Sequence, residues 1–307
     1  MQTVTTAIID VGSNTIRMNL YSLSGSDATL MISTKASAGL AGYISNDQLE
    51  QDGIDKLISV LEEFRTITLA LHIDSIHVFA TESLRAVKNA SEVIDQVRGK
   101  TGLEIDLLSG SEEARLSWKG SGASDLGDEG IFCDIGGGSS EVVLFKKAKI
   151  EQAVSLPIGS LNLFNRYVSD LIPDENELAD MRSEIHHLLK AELPDHKNYK
   201  GRIMYAAGGS ARSAKALMVQ LKWLEPDEDF ITTPLLRDLL HLLQKDRENS
   251  IKMILKLSPE RVHTLFCGML ILYRLCKWFK CEQIRICPNG VREGFLNEKV
   301  LNLIHEE

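Results

Sequence analysis

The chain has 307 residues, 44% hydrophobic and 25% charged, which is the composition of an ordinary globular protein with length for about two domains. A formal charge of −9 disfavours nonspecific binding to a nucleic-acid polymer, which needs basic surface, but a local basic cleft can still receive a polyanion. The longest apolar stretch, Thr264 to Tyr273, is too short to span a membrane and reads as a buried helix. Five cysteines form no C-x-x-C pair, so neither a zinc ribbon nor a disulfide framework is expected. With no targeting segment in Met1 to Thr6, the expected location is the cytoplasm.

The first element is a hairpin. Ala7 to Asp10 reads as a strand, Gly12, Ser13 and Asn14 as a tight turn, and Ile16 to Tyr21 as an alternating strand. The pattern returns at Ile131 to Asp134, the turn Gly136, Gly137, Gly138 and Ser139, and the strand Glu141 to Phe145. The two aspartates are a domain length apart, which implies a duplicated fold. Glycine-rich turns let successive N–H groups point into one concavity that binds phosphate oxygens, and an aspartate before such a turn can hold a divalent cation.

Between the hairpins the pattern predicts a helix from about Asp47 to Leu71, a strand at Ser75 to Ala80, a helix from about Leu84 and a strand near Glu104 to Leu108. Alternation of this kind indicates an α/β domain. Ser109 and Glu112 have capping-box spacing, so a helix is expected there with Glu112 and Glu113 in its first turn. It leaves a strand's C-terminal end, where open α/β sheets form ligand crevices, and the two carboxylates diverge by about 100°, so only one can face the crevice. The segment 121–130 has loop composition, which places the boundary near residue 125 and gives domains 1–125 and 126–307. The second domain continues with a strand at Arg202 to Ala207 and a turn at Gly208, Gly209 and Ser210 that opens a helix, a site favourable to an anion. Arg212 and Lys215 follow in that helix. Asp174 to Leu193 and Leu235 to Leu243 read as helices, His186 and His187 as surface residues, and Trp118, Trp223 and Trp278 as core.

The set Asp10 to Asn14, Ala80-Thr-Glu-Ser-Leu-Arg85 with Asn89, Ser109-Gly-x-x-Glu113-Ala-Arg115-Leu116, Asp134 to Glu141 and Arg292-Glu-Gly294 resembles the exopolyphosphatase and guanosine pentaphosphate phosphohydrolase (Ppx/GppA) family. The resemblance implies an α/β, two-domain actin-like ATPase fold, a duplicated ribonuclease H-like unit with the active site in the interdomain cleft and a last helix, about 293–307, packed on the first domain. It implies that Glu113 is the general base and Arg85 a phosphate contact. Asp134 and Glu141, with Asp10, are then acids at a magnesium site that manganese can also fill. The turns at Gly12 to Asn14, Gly136 to Ser139 and Gly208 to Ser210 are its phosphate-binding loops. The implied activity is release of the terminal phosphate of inorganic polyphosphate, an exopolyphosphatase. The alternatives are hydrolysis of guanosine pentaphosphate (pppGpp) and a sensor that binds without turnover. A homodimer is also implied. Two departures bear on the substrate: Asn162 and Asn165 are neutral where the family commonly carries charge, and an arginine common near Lys35 is absent. Longer members continue into a helical domain associated with long polyphosphate, so short chains are the expected substrate here.

Overall fold

The computed structural model describes residues 4–25, 27–194 and 196–301. The chain forms two compact units, one of Met1–Gly110 with Glu298–Glu307 and the other of Ser111–Asn297.

In the first unit, strands β1 (Val4–Val11), β2 (Thr15–Ser24) and β3 (Asp27–Ser37) form an antiparallel meander. A small ladder of β4 (Ile44–Ser45) and β5 (Gln48–Leu49) precedes helix α1 (Gln51–Ala70). Strand β6 (Ser75–Ala80) pairs parallel to β1, and β7 (Ile105–Leu107) pairs parallel to β6, so the sheet order is β3-β2-β1-β6-β7. Helices α2 (Glu82–Arg85) and α3 (Ala90–Thr101) link β6 to β7. β1 has no apolar/polar alternation because Ala7, Ile8, Ile9 and Val11 are all fully buried at the centre of the sheet. Asn89 fixes the start of α3 by a reciprocal pair of bonds with Leu49, Leu49 N–H to Oδ1 and Nδ2–H to the Leu49 carbonyl, each 3.0 Å.

The second unit repeats the plan. α4 (Gly110–Gly120) and the short α5 (Ala123–Leu126) lead into a meander of β8 (Glu129–Ile135), β9 (Ser140–Lys146) and β10 (Lys149–Leu156). Helices α6 (Ser160–Tyr167) and α7 (Glu175–Glu192) follow; Asp174 caps α7, accepting from Glu177 N–H at 2.8 Å. β11 (Met204–Ala207) pairs parallel to β8 and is followed by α8 (Gly208–Gln220). β12 (Phe230–Thr232), α9 (Thr233–Lys245), α10 (Arg247–Leu257) and α11 (Leu265–Phe279) then precede β13 (Gln283–Ile286). The sheet order is β10-β9-β8-β11-β13-β12, the order of the first sheet plus one antiparallel edge strand. A duplicated ribonuclease H-like unit is the defining feature of the actin-like fold, and the matching strand orders show it. α11 is strongly apolar and mostly buried, as a core helix must be, with Arg274 and Lys277 on its less buried part.

Alternation along β8 splits the second core. Ile131, Cys133 and Ile135 join the large cluster with α8 and α11, whereas Phe132 faces Val143, Phe145, Tyr205 and the α4 residues Ala114 and Trp118. That packing draws α4 into the second unit and sets the division at Gly110/Ser111 rather than near residue 125, and the expected loop over 121–130 contains α5. Glu298–Glu307 group with the first unit, and residues 302–307 of the expected terminal helix lie outside the described residues. Trp223 is 38% exposed rather than core. All five cysteines are buried and unpaired, and burial pushes the Cys287 thiol up to about 11. Among the described residues no helix is long and apolar enough to cross a membrane.

Candidate active site

The acidic centre of the second unit grows from the same alternation. Two residues beyond Phe132, Asp134 points to the α4 face, and its cross-strand partner on β9 is Glu141. Two carboxylates in one register repel unless a proton or a cation lies between them. Glu141 is only 2% exposed, and its Oε1 accepts from Ser155 Oγ at 2.8 Å. Burial, reinforced by the charges of Glu113 and Asp134, holds its carboxyl well above the usual range, against the opposing effect of the Ser139 and Ser155 hydroxyls.

α4 supplies the third acid. Of the two adjacent glutamates, Glu113 is buried at 7% exposure and Glu112 is more accessible, so Glu113 is the inward one. Ser117, one helical turn on from Glu113, donates to Asp134 Oδ2 at 2.5 Å. One face of α4 thus carries a carboxylate and a hydroxyl to the end of the sheet where Asp134 and Glu141 stand. Ser117 was not predicted; its i+4 spacing from Glu113 was the available signal.

The turn between β8 and β9 is held from behind. The Gly136 carbonyl accepts from Ser160 N–H at 2.9 Å and the Gly137 carbonyl from Leu161 N–H at 2.8 Å. The Gly138 carbonyl accepts from Asn162 Nδ2 at 2.6 Å, while Asn162 Oδ1 takes the Gly159 N–H at 2.7 Å. With the carbonyls of Gly136, Gly137 and Gly138 committed to the start of α6 and the Gly136 N–H to the Ser139 carbonyl at 2.9 Å, the turn can serve an anion only through the N–H groups of Gly137 to Ser139. Asn162 both donates and accepts, which neither a carboxylate nor a guanidinium can do. Asn162→Asp is therefore expected to break the bond to Gly138 and lower stability by about 1–3 kcal/mol, read as a fall in melting temperature, with a raised KM for a phosphate substrate.

Gly208 opens α8 at φ +86°, and a Cβ there would lie 2.6 Å from Asp134 Oδ1, so both the backbone angle and the approach of the acid require glycine. The Arg261 guanidinium covers Gly209. The Ser210 side chain is fully buried against Gly268 in the core, so only the backbone of Ser210 can serve a ligand. Arg212 donates to the Pro288 carbonyl at 3.2 Å; burial lowers its pKa, opposed by the attraction of Asp134, and it remains a cation. Gly290 packs on Asp134 Oδ2, and its N–H is held by Glu293 Oε2 at 2.9 Å at the start of α12 (Val291–Phe295).

The first unit uses the same device. The turn Gly12, Ser13 and Asn14 commits its Ser13 and Asn14 carbonyls to the backbone of residues 38–41, at 2.9 to 3.1 Å. Ser83 Oγ donates to the Val11 carbonyl at 2.6 Å and fixes α2 at the end of β1. Arg85 is held by Glu82, Nη2 to Oε2 at 2.8 Å, and donates from Nη1 to the Leu108 carbonyl at 3.1 Å. Asp10 differs from Asp134 in its neighbour: its cross-strand partner is Arg17, which in turn pairs in register with Lys35. The Arg17 guanidinium donates from Nη1 to Ser33 Oγ at 3.2 Å.

Among the described residues no three His, Cys, Asp or Glu side chains form a ready-made metal cage. The donor set still fits magnesium, which commonly takes one or two carboxylates and completes its shell with water and substrate phosphate. Asp134 is the fitting ligand, and Glu141, enclosed by serine hydroxyls, fits a partner that adjusts the local charge.

Residues 22–303 match the model of the Ppx/GppA phosphatase family. Exopolyphosphatase 1 of Mycobacterium tuberculosis is 28% identical over 313 residues, covering 95% of this chain and 87% of that protein. The Aquifex aeolicus PPX-GPPA enzyme superposes with a TM-score of 0.76 at 23% identity, over 96% of this chain and 99% of that one. An exopolyphosphatase from Cytophaga hutchinsonii gives 0.84 at 19% identity, over 97% and 98% of the two chains. With the match running through both units and every motif that frames the acidic centre, the chain belongs to the Ppx/GppA phosphatase family.

Proposed function

We propose that this protein is an exopolyphosphatase that hydrolyses the terminal phosphoanhydride bond of short inorganic polyphosphate. The observation that carries the reading is the buried Glu113, set with Ser117 on one face of α4 beside the Asp134–Glu141 pair. The name of the mycobacterial relative supports the same substrate.

In the reaction, Glu113 accepts a proton from water as the water oxygen bonds to the terminal phosphorus. The bridging P–O bond breaks, and its electron pair leaves with the shortened chain. N–H groups of the Gly137–Ser139 and Gly208–Ser210 turns receive the equatorial oxygens. Arg85, whose guanidinium is held in one orientation by its bonds to Glu82 and Leu108, is the phosphate contact that the family resemblance implies. Ser117 keeps Asp134 in a single rotamer. Magnesium, or manganese, bound at Asp134 would supply charge neutralisation for the phosphate oxygens. Five buried, unpaired thiols fit a reducing compartment, consistent with a cytoplasmic enzyme.

Phosphate release from tripolyphosphate, long polyphosphate, pppGpp and ATP, each with magnesium, tests the proposal. Fastest release from tripolyphosphate is expected. Preference for pppGpp would replace the substrate assignment, and binding without release from any of the four would make the protein a sensor.

A further inference from the structure

Helices α7, α9 and α11 of the second unit enclose a narrow cleft that none of the steps above uses. Its floor is apolar, made by Leu178 of α7, Leu240 of α9 and Phe266 and Leu270 of α11, and its rim carries Arg182, Arg237, His241 and Tyr273. Arg274 stands one helical turn beyond Leu270 on the same face of α11. Burial and the charge of Arg182 lower the pKa of Arg274, and both side chains remain cations. The Arg274 Nε is buried, and no group among the described residues accepts from it. The acids that flank Arg182 and Arg237 are turned elsewhere. Glu184 is bonded to Arg166 and Tyr167, Asp238 is bonded to Arg237 Nη2 at 2.8 Å, and Asp180 lies about 200° around α7 from Arg182. α11 itself has no acidic residue.

We propose that Arg182 and Arg274 hold a phosphate-type oxyanion at the rim of this cleft, a second anion site outside the acidic centre. Two guanidiniums with no carboxylate between them repel, and an anion that accepts from both replaces that repulsion with attraction. Each guanidinium offers a planar fork that meets two phosphate oxygens at once, in charge-assisted bonds. The Tyr273 hydroxyl adds a neutral donor at the same rim. The apolar floor keeps the local dielectric low, which strengthens the attraction. The interior of the cleft is about 10 Å³, room for one water-sized group, so a nucleoside or sugar ring is excluded and a compact anion at the mouth is what fits. Free orthophosphate and a phosphate unit of a polyphosphate chain whose end lies elsewhere present the same oxygens to the pair.

Equilibrium dialysis of the full chain against radiolabelled orthophosphate, without added metal, tests the site. The natural protein is expected to hold one more phosphate per chain than the Arg182→Gln/Arg274→Gln protein. Arg182 is exposed, so Arg182→Gln alone leaves the fold in place, and it should weaken the extra phosphate about tenfold or more, the loss of one charge-assisted contact. In phosphate-free buffer the melting temperature of Arg182→Gln should be equal to or above that of the natural protein, because a repulsion is removed. A lower temperature, an extra phosphate bound as tightly by Arg182→Gln, or equal stoichiometry in the natural protein and the folded double variant would overturn the proposal. The source of the anion is read from KM in Arg182→Gln. A rise of about threefold or more for long polyphosphate, with no change for tripolyphosphate, assigns the site to a remote unit of the chain, and no change for either assigns it to free phosphate. Because the stoichiometry is a difference between two proteins and needs no turnover, a protein that releases no phosphate would refute the hydrolase assignment and leave this result intact.

Discussion

Glu113→Gln is expected to bind tripolyphosphate as the natural protein does and to release phosphate about 10²–10⁴ times more slowly, the usual contribution of a general base. The amide keeps the size and polarity of the side chain but has no lone pair basic enough to take a proton from water. The substitution also removes a charge that helps hold the Glu141 carboxyl high, so Glu141 ionises more readily in the variant. That change favours cation binding, and a weaker metal requirement alongside the lost turnover would separate the two roles. Equal turnover in variant and natural protein would remove Glu113 from the mechanism. Measuring KM and kcat separately is essential, because a base that acts only in the transition state lowers kcat and leaves KM near its original value.

Gly294→Ala should be strongly damaging despite adding only one methyl group. A Cβ at residue 294 would lie 1.9 Å from the Leu116 carbonyl oxygen and 2.6 Å from its carbon, and backbone cannot give way as a side chain can. Relief requires α4 to move away from α12. Leu116 is flanked by the site residue Ser117, so the bond to Asp134 is disturbed with it. A loss of about 3 kcal/mol is expected, the upper part of the range for overpacking, together with a sharp fall in activity. Gly99→Ala in α3 is the matched control: a Cβ there meets nothing within 4 Å, and the helix gains from alanine by roughly 0.5–1 kcal/mol. Equal melting temperatures for the two variants would show that the α4–α12 crossing does not hold the site.

The amino-acid sequence by itself determined the elements whose signal is local. Aspartate before a glycine turn, repeated a domain length later, disclosed the duplication, and Glu113 stood in the first turn of a helix at a strand end. Strand β6 fell where its apolar run predicts. Residues whose role depends on a neighbour across the sheet carry no local signal, and Glu141 was named only through the family resemblance. Glu141 is set against Asp134, and Arg17 against Asp10, by strand register, and a shift of one residue would turn either side chain to the opposite face. The division at Gly110/Ser111 likewise follows from Ala114 and Trp118 packing on Phe132 and Phe145, which no composition change marks. Asn162 looked like a lost charge in the chain and is a two-way hydrogen bond in the fold. Only tertiary structure decided these, because register and helix packing bring together residues far apart in sequence, and charge and hydrogen-bonding capacity then act on whatever has been brought near.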